Sequence, residues 1–275
     1  MTQALGFQSM LFVPGSKPDR FAKALASGAD CVCIDLEDAV PADQKEAARA
    51  AALAAAPGDS RLAIRINGVA TRAGLADILA LAEAPKPPSL LFIPMVESPA
   101  EIAIVRSVLA DSHTAFIPLI ETVTGLTNAG AIASQAGVAG LMFGGGDFSA
   151  QLGVALAWEP LMLARAQLVM ACAGAGKPAI DVPFIDLENA DGLIAETRRA
   201  KALGFAAKAA IHPAQIAPIH DVMRPTAAEL SEAAEAEIAF AAAGGAVVRF
   251  KGKMLEAPVM ARYRQILALK EVINA

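Results

Sequence analysis

The stretch that decides the fold runs from Cys31 to Asn67 and reads CVCIDLEDAVPADQKEAARAAALAAAPGDSRLAIRIN. It contains two short apolar runs, Cys31–Leu36 and Arg61–Ile66, which are too continuously apolar to have one face in water. The segment from Pro41 to Ala56 between them is Ala-rich and amphipathic, and it begins with helix start signals. This order of strand, helix and strand predicts a parallel βα unit.

The same unit recurs along the chain at intervals of a few tens of residues. Six further apolar runs of strand length are Ser9–Val13, Leu90–Met95, Ala115–Ile120, Val138–Phe143, Pro178–Val182 and Ala206–Ile211. Further helices are predicted at Asp19–Ser27, Ser98–Ala110, Pro160–Ala173 and Leu187–Leu203. Eight such units before about residue 220 predict an α/β protein with a closed (β/α)8 TIM barrel, and a doubly wound open sheet is the competing fold.

The pattern changes after His220. Arg224-Pro225-Thr226 opens an Ala- and Glu-rich helix, Gly244-Gly245 interrupts it, and Val247–Phe250 leads into a last helix from about Pro258. We therefore divide the chain into a barrel over residues 1–222 and a small C-terminal helical extension over residues 223–275. The extension is expected to pack on the barrel, to cap it, or to reach a neighbouring subunit.

Composition and charge exclude several classes of protein. The 275 residues carry 23 Lys and Arg against 28 Asp and Glu without a basic block, so we expect no nucleic-acid partner. No signal peptide is recognisable, and the uncharged stretch from Thr122 to Gly146 holds seven glycines, which is unsuited to a membrane span. The three cysteines cannot form a disulfide framework, so a reduced, cytoplasmic protein is expected. We also expect Cys31 and Cys33 to point to opposite faces of their strand and to hold no zinc.

Polar side chains gather at the ends of the predicted strands, where barrel enzymes carry their active sites. Acidic side chains that converge there would repel one another and gain protons unless a cation joined them. Oxygen ligands without His or Cys favour Mg²⁺ or Mn²⁺. Glu121 and Asp147 are the best pair of ligands, although acids at strand ends also cap helices or remain hydrated in loops. The residues concerned are Asp35, Glu37, Asp38, Arg65, Asn67, Glu97, Glu121 and Asp147.

Other residues near these strand ends leave two interpretations open. Arg65 lies inside an apolar strand, so its guanidinium needs an anionic partner, either a substrate carboxylate or a structural acid. Gly144-Gly145-Gly146 lets a ligand approach the backbone closely, or forms only a tight turn. His212 is expected to fix a loop rather than to act as a base, and Lys208 to pair with an acid rather than to form a Schiff base.

Six motifs in chain order carry a family resemblance. With them the chain resembles the citrate lyase β-subunit family of the HpcH/HpaI aldolase/citrate lyase superfamily, whose relatives include malyl-CoA and citramalyl-CoA lyases. The resemblance covers nearly all of the chain, from about Met10 to the last helix. The motifs are Met10–Gly15 (MLFVPG), Ile34–Val40 (IDLEDAV), Arg65–Asn67 (RIN), Ile120–Thr122 (IET), Phe143–Asp147 (FGGGD), and Gly204–Pro213 with Lys208 and His212.

The resemblance implies a Mg²⁺-dependent barrel, usually a homotrimer, that cleaves a 3-hydroxyacyl-CoA thioester into a 2-oxo acid and an acyl-CoA. The thioester would be of the citramalyl-, malyl- or citryl-CoA type. Two other activities stay open: an aldolase acting on free 2-oxo or hydroxy acids, and a citrate lyase β subunit active only within a complex. The resemblance also implies roles for residues at matching positions. Glu121 and Asp147 would hold the metal, and Glu37 and Asp38 would hold metal-bound waters. Arg65 would bind the oxo-acid carboxylate, Asn67, Gly146 and Asp147 would bind other parts of the substrate, and Lys17 and Arg20 would bind the CoA phosphates.

Two positions depart from the family pattern. The family usually reads PKVE on strand four, whereas this chain has Pro94–Glu97 as PMVE, so Met95 removes a cation near the site. The usual GKMIDxP of the tail becomes GKMLEAP at Gly252–Pro258. Glu256 therefore stands where related CoA lyases place an Asp that reaches across the subunit interface as acid/base. Glu keeps this chemistry but adds a methylene, which changes where its proton lies.

Overall fold

Eight parallel strands close into a barrel in the computed structural model, which describes residues 6–110 and 112–274. Each strand pairs with the next one along the chain, and the last pairs with the first. The predicted (β/α)8 barrel is therefore confirmed, and the open sheet is excluded. The strands are β1 Ser9–Pro14, β2 Cys31–Asp35, β3 Leu62–Arg65, β4 Leu90–Ile93, β5 Ala115–Ile120, β6 Leu141–Phe143, β7 Ala179–Asp181 and β8 Ala207–Ala210.

Helices alternate with the strands and continue beyond them. They are α1 Phe21–Leu25, α2 Lys45–Ala55, α3 Arg72–Glu83, α4 Pro99–Val108, α5 Val123–Thr127, α6 Ala129–Ala133, α7 Gly145–Leu152, α8 Trp158–Gly174, α9 Ala190–Leu203, α10 Ile216–Met223, α11 Ala227–Ala242 and α12 Ala257–Asn274. Among the described residues, no helix combines the length and apolar character needed to cross a membrane.

Local capping explains where these helices begin. Ser98 and Glu101 form a reciprocal capping box before Pro99, the first residue of α4. Asn189 accepts a hydrogen bond from the Gly192 N–H at 2.8 Å, so α9 begins at Ala190 and not at the predicted Leu187. The helix predicted from Asp19 is shorter than expected, because residues 18–20 form a 3-10 turn before α1.

Alternation along the strands separates the barrel interior from the layer beneath the helices. Inward-facing side chains such as Cys31, Cys33 and Ala63 form an inner apolar cluster, whereas Val32 and Ile34 belong to the outer one. Residues i and i+2 of a strand share a face, so the expectation that Cys31 and Cys33 face opposite sides is wrong. Both thiols are free and buried inside the barrel, and burial raises the pKa of Cys31 to about 12.

The C-terminal residues form a small unit with its own apolar cluster. After α11, β9 (Val248–Phe250) and β10 (Lys253–Leu255) pair as an antiparallel hairpin that leads into α12. The predicted order of helix, glycine break, extended segment and last helix is confirmed, while β10 was not predicted. The boundary set after residue 222 lies next to Met223, the end of α10, and the division into two domains stays a prediction. The cluster consists of Ala236, Phe240, Leu255 and Met260.

Candidate active site

Three polar side chains reach the carboxyl end of the barrel because they continue the inward alternation of their strands. Asp35 ends β2 and Arg65 ends β3, both in register with the inner cluster. Glu121 stands two residues after the inward-facing Leu119, just beyond the end of β5. We call this end of the barrel the mouth, and it is the end at which barrel enzymes carry their active sites.

The Arg65 guanidinium contacts three acidic side chains, Asp35, Glu37 and Asp38. Nε donates to Asp35 Oδ1 and Nη2 donates to Asp35 Oδ2, both at 2.7 Å. The two residues are register partners between β2 and β3, which orients this bidentate pair. The remaining nitrogen, Nη1, lies 2.7 Å from Glu37 Oε2 and 3.4 Å from Asp38 Oδ2. Of the two partners left open for Arg65, the structure therefore shows structural acids.

Glu37 carries a carboxyl group that is easily protonated. Burial raises its pKa to about 8, the Arg65 charge opposes that rise, and the charges of Glu121 and Asp38 add to it. Its Oε2 is buried and, despite the short contact with Arg65, lacks a hydrogen bond of acceptable geometry within the described part of the chain. An acceptor in this condition gains free energy from water or from a nearby cation.

The carboxylate of Glu121 is held on two sides. The residue is 4% exposed, and its Oε2 accepts a hydrogen bond from the Met95 N–H at 2.6 Å. Met95 has a φ of 54°, a left-handed conformation that is uncommon outside glycine, and its side chain remains partly exposed. On the other side, a Cβ at Gly144 would lie 2.6 Å from Glu121 Oε1, so that only glycine fits there.

Asp147 is exposed in the first turn of α7, which begins at Gly145, two residues after the end of β6. The glycine run is therefore the start of a helix, whose N-terminus favours a negative charge. The pKa of Glu121 is raised to about 7, chiefly by burial and also by the charges of Asp147 and Asp38, whereas the Met95 N–H and Arg65 oppose the rise. The charge of Asp147 acts on the Glu121 carboxyl, so the two residues lie near each other at this end of the barrel.

These acids suit a hard divalent cation. Burial is the main cause of the raised pKa values of Glu37 and Glu121, and a cation would relieve the part that neighbouring acids add, while the missing Cβ at Gly144 lets the Glu121 side chain lie against the backbone there. Within residues 6–110 and 112–274, no three Asp, Glu, His or Cys side chains stand close enough to hold a metal ion by themselves. Glu121 and Asp147 would thus supply two oxygen ligands and leave the others to water and substrate, an arrangement typical of Mg²⁺.

Two predicted strand-end residues are engaged elsewhere. Asn67 is buried, and its backbone N–H and its side-chain amide both donate to Asp77 Oδ2, at 2.8 and 2.7 Å. Glu97 accepts a hydrogen bond from Thr122 Oγ1 at 2.7 Å and therefore supports the start of α5. Neither side chain joins the Arg65 and Glu121 group in the structure.

Four other predicted residues are exposed or distant. Lys17 and Arg20 are exposed on the turn that follows β1, and Gly146 is exposed in the first turn of α7. Glu256 is half-buried at the junction of β10 and α12, within the C-terminal unit. Among the described residues, no hydrogen bond or ion pair joins its side chain to Asp35, Arg65 or Glu121.

The acid partner expected for Lys208 and the loop contact expected for His212 are both present. Lys208 is fully buried, and its Nζ lies 2.7 Å from Asp181 Oδ2 and 2.9 Å from Glu196 Oε1. His212 Nδ1 accepts a hydrogen bond from the Ala214 N–H at 3.2 Å and caps a short 3-10 turn. Both residues hold the fold together.

Sequence reasoning missed two contributors to the mouth. Asp35 was noted among the strand-end acids but not as the partner of Arg65, although its inward position two residues after Cys33 was a usable signal. Met95 contributes through its backbone, and no property of a methionine side chain points to a left-handed conformation.

Comparison with known proteins places this mouth in a family context. A family model described as HpcH/HpaI aldolase/citrate lyase matches residues 8–213. A second model, described as a C–C bond lyase of the TIM-barrel fold, matches residues 165–271. Together they span the barrel and most of the C-terminal unit.

Individual relatives agree with these matches. Mitochondrial citramalyl-CoA lyase of Rattus norvegicus is 29% identical, over 97% of this chain and 87% of the relative. A (3S)-malyl-CoA thioesterase of Cereibacter sphaeroides is 35% identical, over 99% and 98%. The structure of CitE from Mycobacterium tuberculosis in complex with magnesium, acetoacetate and coenzyme A superimposes with a TM-score of 0.82 at 32% identity, over 96% and 98%.

Proposed function

The chain belongs to the HpcH/HpaI aldolase/citrate lyase family and is a carbon–carbon lyase, and from this premise we propose its substrate and mechanism. The proposed substrate is a 3-hydroxyacyl-CoA thioester of the citramalyl-, malyl- or citryl-CoA type. The proposed reaction is Mg²⁺-dependent cleavage into a 2-oxo acid and an acyl-CoA. Relatives whose names contain citramalyl-CoA and malyl-CoA, and one crystallised with magnesium and coenzyme A, support this choice.

The observation that carries the proposal is the arrangement of charge at the mouth. One guanidinium nitrogen of Arg65 faces the acidic side chains of Glu37 and Asp38, with Glu121 and Asp147 nearby. A cation held by Glu121 and Asp147 beside a guanidinium forms a combined site for a carboxylate and an adjacent oxygen. That pair of groups is what a 2-oxo acid, or the hydroxy acid from which it forms, presents.

Cleavage requires three events at the substrate. The 3-hydroxyl loses its proton, the bond between the carbinol carbon and the thioester α-carbon breaks, and the resulting enolate takes up a proton. Bound Mg²⁺ would supply Lewis-acid polarisation of the substrate oxygen that becomes the carbonyl. Arg65 would hold the substrate carboxylate through Nη1, while Asp35 keeps the other side of the guanidinium fixed. Glu37 and Asp38 would orient water at the mouth, and Gly146 would line the substrate side.

We assign proton transfer to Glu256 of a neighbouring subunit within a trimer. Glu256 lies in a unit that packs around its own apolar cluster, and no hydrogen bond or ion pair joins its side chain to the barrel among the described residues. Next to it, Met254 is 63% exposed and Val259 is 37% exposed. Apolar side chains left in water beside a polar group are typical of a surface that is covered on assembly.

The thioester end of the substrate is assigned to the turn after β1. Lys17 and Arg20 are exposed there, close to the carboxyl end of the barrel, and would bind the CoA phosphates. Three free, buried cysteines support a reducing compartment, and we propose the cytoplasm.

A product assay tests the proposal. The purified chain with Mg²⁺ is mixed with citramalyl-CoA, malyl-CoA, citryl-CoA and the corresponding free acids, and both 2-oxo acid and free thiol are measured. We expect 2-oxo acid to form from at least one thioester without release of free thiol, and Asp147→Ala to abolish this. Cleavage of the free acids alone would identify an aldolase that does not use CoA. Inactivity alone but activity with partner chains would identify a subunit of a complex.

A second candidate function is hydrolysis of the thioester, because the thioesterase relative is 35% identical over nearly the full length of both chains. The same assay separates the two activities, since hydrolysis releases free thiol and leaves the hydroxy acid intact.

A further inference from the structure

The main-chain ladder between β2 and β3 ends at the mouth. Its last hydrogen bond runs from the Leu36 N–H to the Arg65 carbonyl, at 2.9 Å. Asp35 and Arg65 are register partners, so Leu36 lies opposite Ile66. In a regular parallel ladder the Leu36 carbonyl would next accept a bond from the Asn67 N–H, because a residue bonds one neighbour of its partner through its N–H and the other through its carbonyl. Within the described residues that bond is not formed, and both groups bind side chains instead.

Lys45 and Asp77 occupy these two main-chain groups. Lys45 Nζ donates to the Leu36 carbonyl at 2.7 Å, and the Asn67 N–H donates to Asp77 Oδ2 at 2.8 Å. Leu36 and Asn67 are both buried, so each group needs a partner. Among the described residues, Lys45 is the only hydrogen-bond donor to the Leu36 carbonyl. One ladder bond is thus replaced by two side-chain bonds, and these end the ladder.

Both side-chain bonds depend on one face of α2. Lys45 is the first residue of α2, and Arg49 lies one turn further along the same face. Arg49 Nε donates to Asp77 Oδ1 at 2.6 Å. The Asp77 side chain is only 1% exposed, so its charge needs this partner. Helix α2 therefore contacts the segment after β2 directly, through Lys45, and the segment after β3 indirectly, through Asp77.

Lys45 also holds the residue that carries one of the carboxyl groups at the mouth. Its Nζ donates to the Glu37 carbonyl at 2.6 Å, and this carbonyl accepts a second bond from the Val40 N–H at 3.0 Å. The carbonyls of Leu36 and Glu37 belong to the peptide groups before and after the Glu37 Cα, so one ammonium fixes both. In addition, Asp35 Oδ1 accepts the Glu37 N–H at 2.9 Å. With its peptide groups held in this way, Glu37 turns its carboxyl to the guanidinium at the mouth.

Loss of the Lys45 ammonium would disturb this arrangement. The Leu36 carbonyl would become a buried acceptor without a donor, which is unfavourable. It would regain a partner only if water entered the segment or if the Asn67 N–H left Asp77. Either change moves the peptide groups beside Glu37.

We propose that Lys45 is a positioning residue for the reaction at the mouth. It acts through Glu37: by ending the ladder between β2 and β3 and fixing the two peptide groups of Glu37, it sets where that carboxyl lies relative to Arg65. The inference rests on the proposed function, in which Glu37 and Asp38 orient water at the mouth. A lysine suits this task because its ammonium has three donors on a flexible stem, and the two carbonyls use two of them.

Amide hydrogen exchange in EDTA tests the positioning without reference to activity. The variant is Lys45→Met, which keeps most of the stem and removes the ammonium. Its matched control is Lys201→Met, because Lys201 is also half-buried and its Nζ donates to a main-chain carbonyl, that of Val222, at 2.8 Å. We expect the amides of residues 36–40 to exchange at least tenfold faster in Lys45→Met and at the parent rate in Lys201→Met.

Steady-state kinetics with Mg²⁺ separates positioning from a purely structural role. The substrates are those of citramalyl-CoA, malyl-CoA and citryl-CoA that the parent protein cleaves. Lys45→Met is expected to lower kcat at least tenfold and to change KM less than threefold, because the proposed metal ligands and CoA contacts stay in place. Lys201→Met is expected to keep both constants of the parent.

Chemical rescue guards against a folding defect. Lys45→Cys followed by aminoethylation with bromoethylamine returns an ammonium to the end of a stem of lysine length. The native cysteines Cys31, Cys33 and Cys172 are free and buried, and burial raises the pKa of each thiol, so they are protected from the reagent. Aminoethylation is expected to restore most of kcat and to slow the exchange of residues 36–40, and the parent protein treated in the same way should be unchanged.

The proposal is overturned by unchanged exchange of residues 36–40 in Lys45→Met or by a rise in KM without a fall in kcat. It is also overturned if Lys201→Met loses as much kcat as Lys45→Met, or if aminoethylation restores nothing. A parent protein that cleaves none of the three thioesters would overturn the proposed function instead, and the exchange measurement then decides alone whether Lys45 fixes the Glu37 segment.

Discussion

At the scale of single residues, Arg65 divides its donors between Asp35 on one side and Glu37 and Asp38 on the other. Asp35 takes the Nε and Nη2 side and is 2% exposed, so Asp35→Ala leaves a buried guanidinium without its bidentate partner. We expect unfolding free energy to fall by about 3–5 kcal/mol, the range for breaking a buried ion pair from one side. The measurement is urea unfolding at neutral pH.

Asp38→Ala is the matched control for this prediction. Its contact with Arg65 is longer, at 3.4 Å, and its side chain is 70% exposed. The expected loss is under about 1 kcal/mol, as for other solvated ion pairs. Equal losses in the two variants would mean that Asp35 does not position Arg65.

We expect the Glu121 carboxylate to lower the free energy of unfolding of the metal-free protein and to serve as one of the two proposed metal ligands. Its carboxylate is buried and repelled by Asp147 and Asp38, so Glu121→Gln should raise the unfolding free energy measured in EDTA by about 1–3 kcal/mol. The amide oxygen can still accept the Met95 N–H. The same variant should lose Mg²⁺ binding in calorimetry. The control variant Glu97→Gln, at the end of the neighbouring strand, should retain Mg²⁺ binding. Unchanged Mg²⁺ affinity in Glu121→Gln would refute the assignment of Glu121 as a ligand.

At the scale of elements, the turn from β6 into α7 shapes the site through the first of its three glycines. A Cβ at Gly144 would overlap the Glu121 side chain, whereas one at Gly146 would meet no atom within 4 Å. Gly144→Ala should therefore weaken Mg²⁺ binding at least tenfold and reduce stability by about 1–3 kcal/mol through overpacking. Gly146→Ala, inside the helix, should leave Mg²⁺ affinity unchanged and stability equal or up to about 1 kcal/mol higher. Equal Mg²⁺ affinity in both variants would contradict this account of Gly144.

A second element-level contact ties α10 to the amino ends of β1 and β2. Asp30 accepts hydrogen bonds from the Gln8 and Ser9 N–H groups and from Arg224, and His220 Nε2 lies 3.2 Å away. Burial by itself would raise the pKa of Asp30, but the hydrogen bonds from His220, Gln8 and Ser9 and the His220 charge hold it well below its usual value.

This contact predicts a pH dependence of stability. Because the folded pKa of Asp30 is lowered, its contribution is fully present above the unfolded value of about 4 and is lost as the pH falls below it. The difference in unfolding free energy between the parent protein and Asp30→Asn should therefore be large at pH 7 and shrink from pH 4 to pH 3 in urea titrations. Asp221→Asn, an exposed position on α10, should differ little from the parent at each pH. A constant difference for Asp30→Asn would contradict the assignment.

The strands were predictable because a fully buried parallel strand has to be apolar along its whole length. Errors arose at their ends: the run predicted from Val138 enters the ladder as β6 only at Leu141, and Val138 makes a single bridge to Phe116. An apolar run predicts which residues are buried. Residues such as Val138 are already buried before the hydrogen-bonded strand begins.

The site was predictable only in part. Strand ends pointed to Glu121 and Asp147, but the pairing of Asp35 with Arg65 depends on the register between two strands. Asn67 was assigned to substrate, whereas Asp77 on α3 holds it in the structure. Register and helix placement are tertiary properties, and local sequence does not specify them.

At the scale of the whole molecule, the barrel and the C-terminal unit keep separate apolar clusters. A closed barrel has no unpaired strand edge and does not need a further layer for its own stability. The C-terminal unit nevertheless exposes Ile238, Val247 and Met254, each more than half exposed. These exposed apolar side chains support the proposed contact with another copy of the chain.

The assignment of Glu256 to a neighbouring subunit's site follows from this organisation and can be tested by mixing two inactive variants. Asp147→Ala lacks a metal ligand at its own mouth but supplies an intact Glu256, whereas Glu256→Ala supplies an intact mouth. If the acid acts across the interface, a mixed oligomer contains some sites in which both residues are intact, and lyase activity returns. If Glu256 serves its own barrel, every site lacks one residue and mixing restores nothing. Subunit exchange is verified by mass spectrometry of a tagged copy, so absence of recovery in exchanged oligomers would place Glu256 in its own subunit's site or outside catalysis.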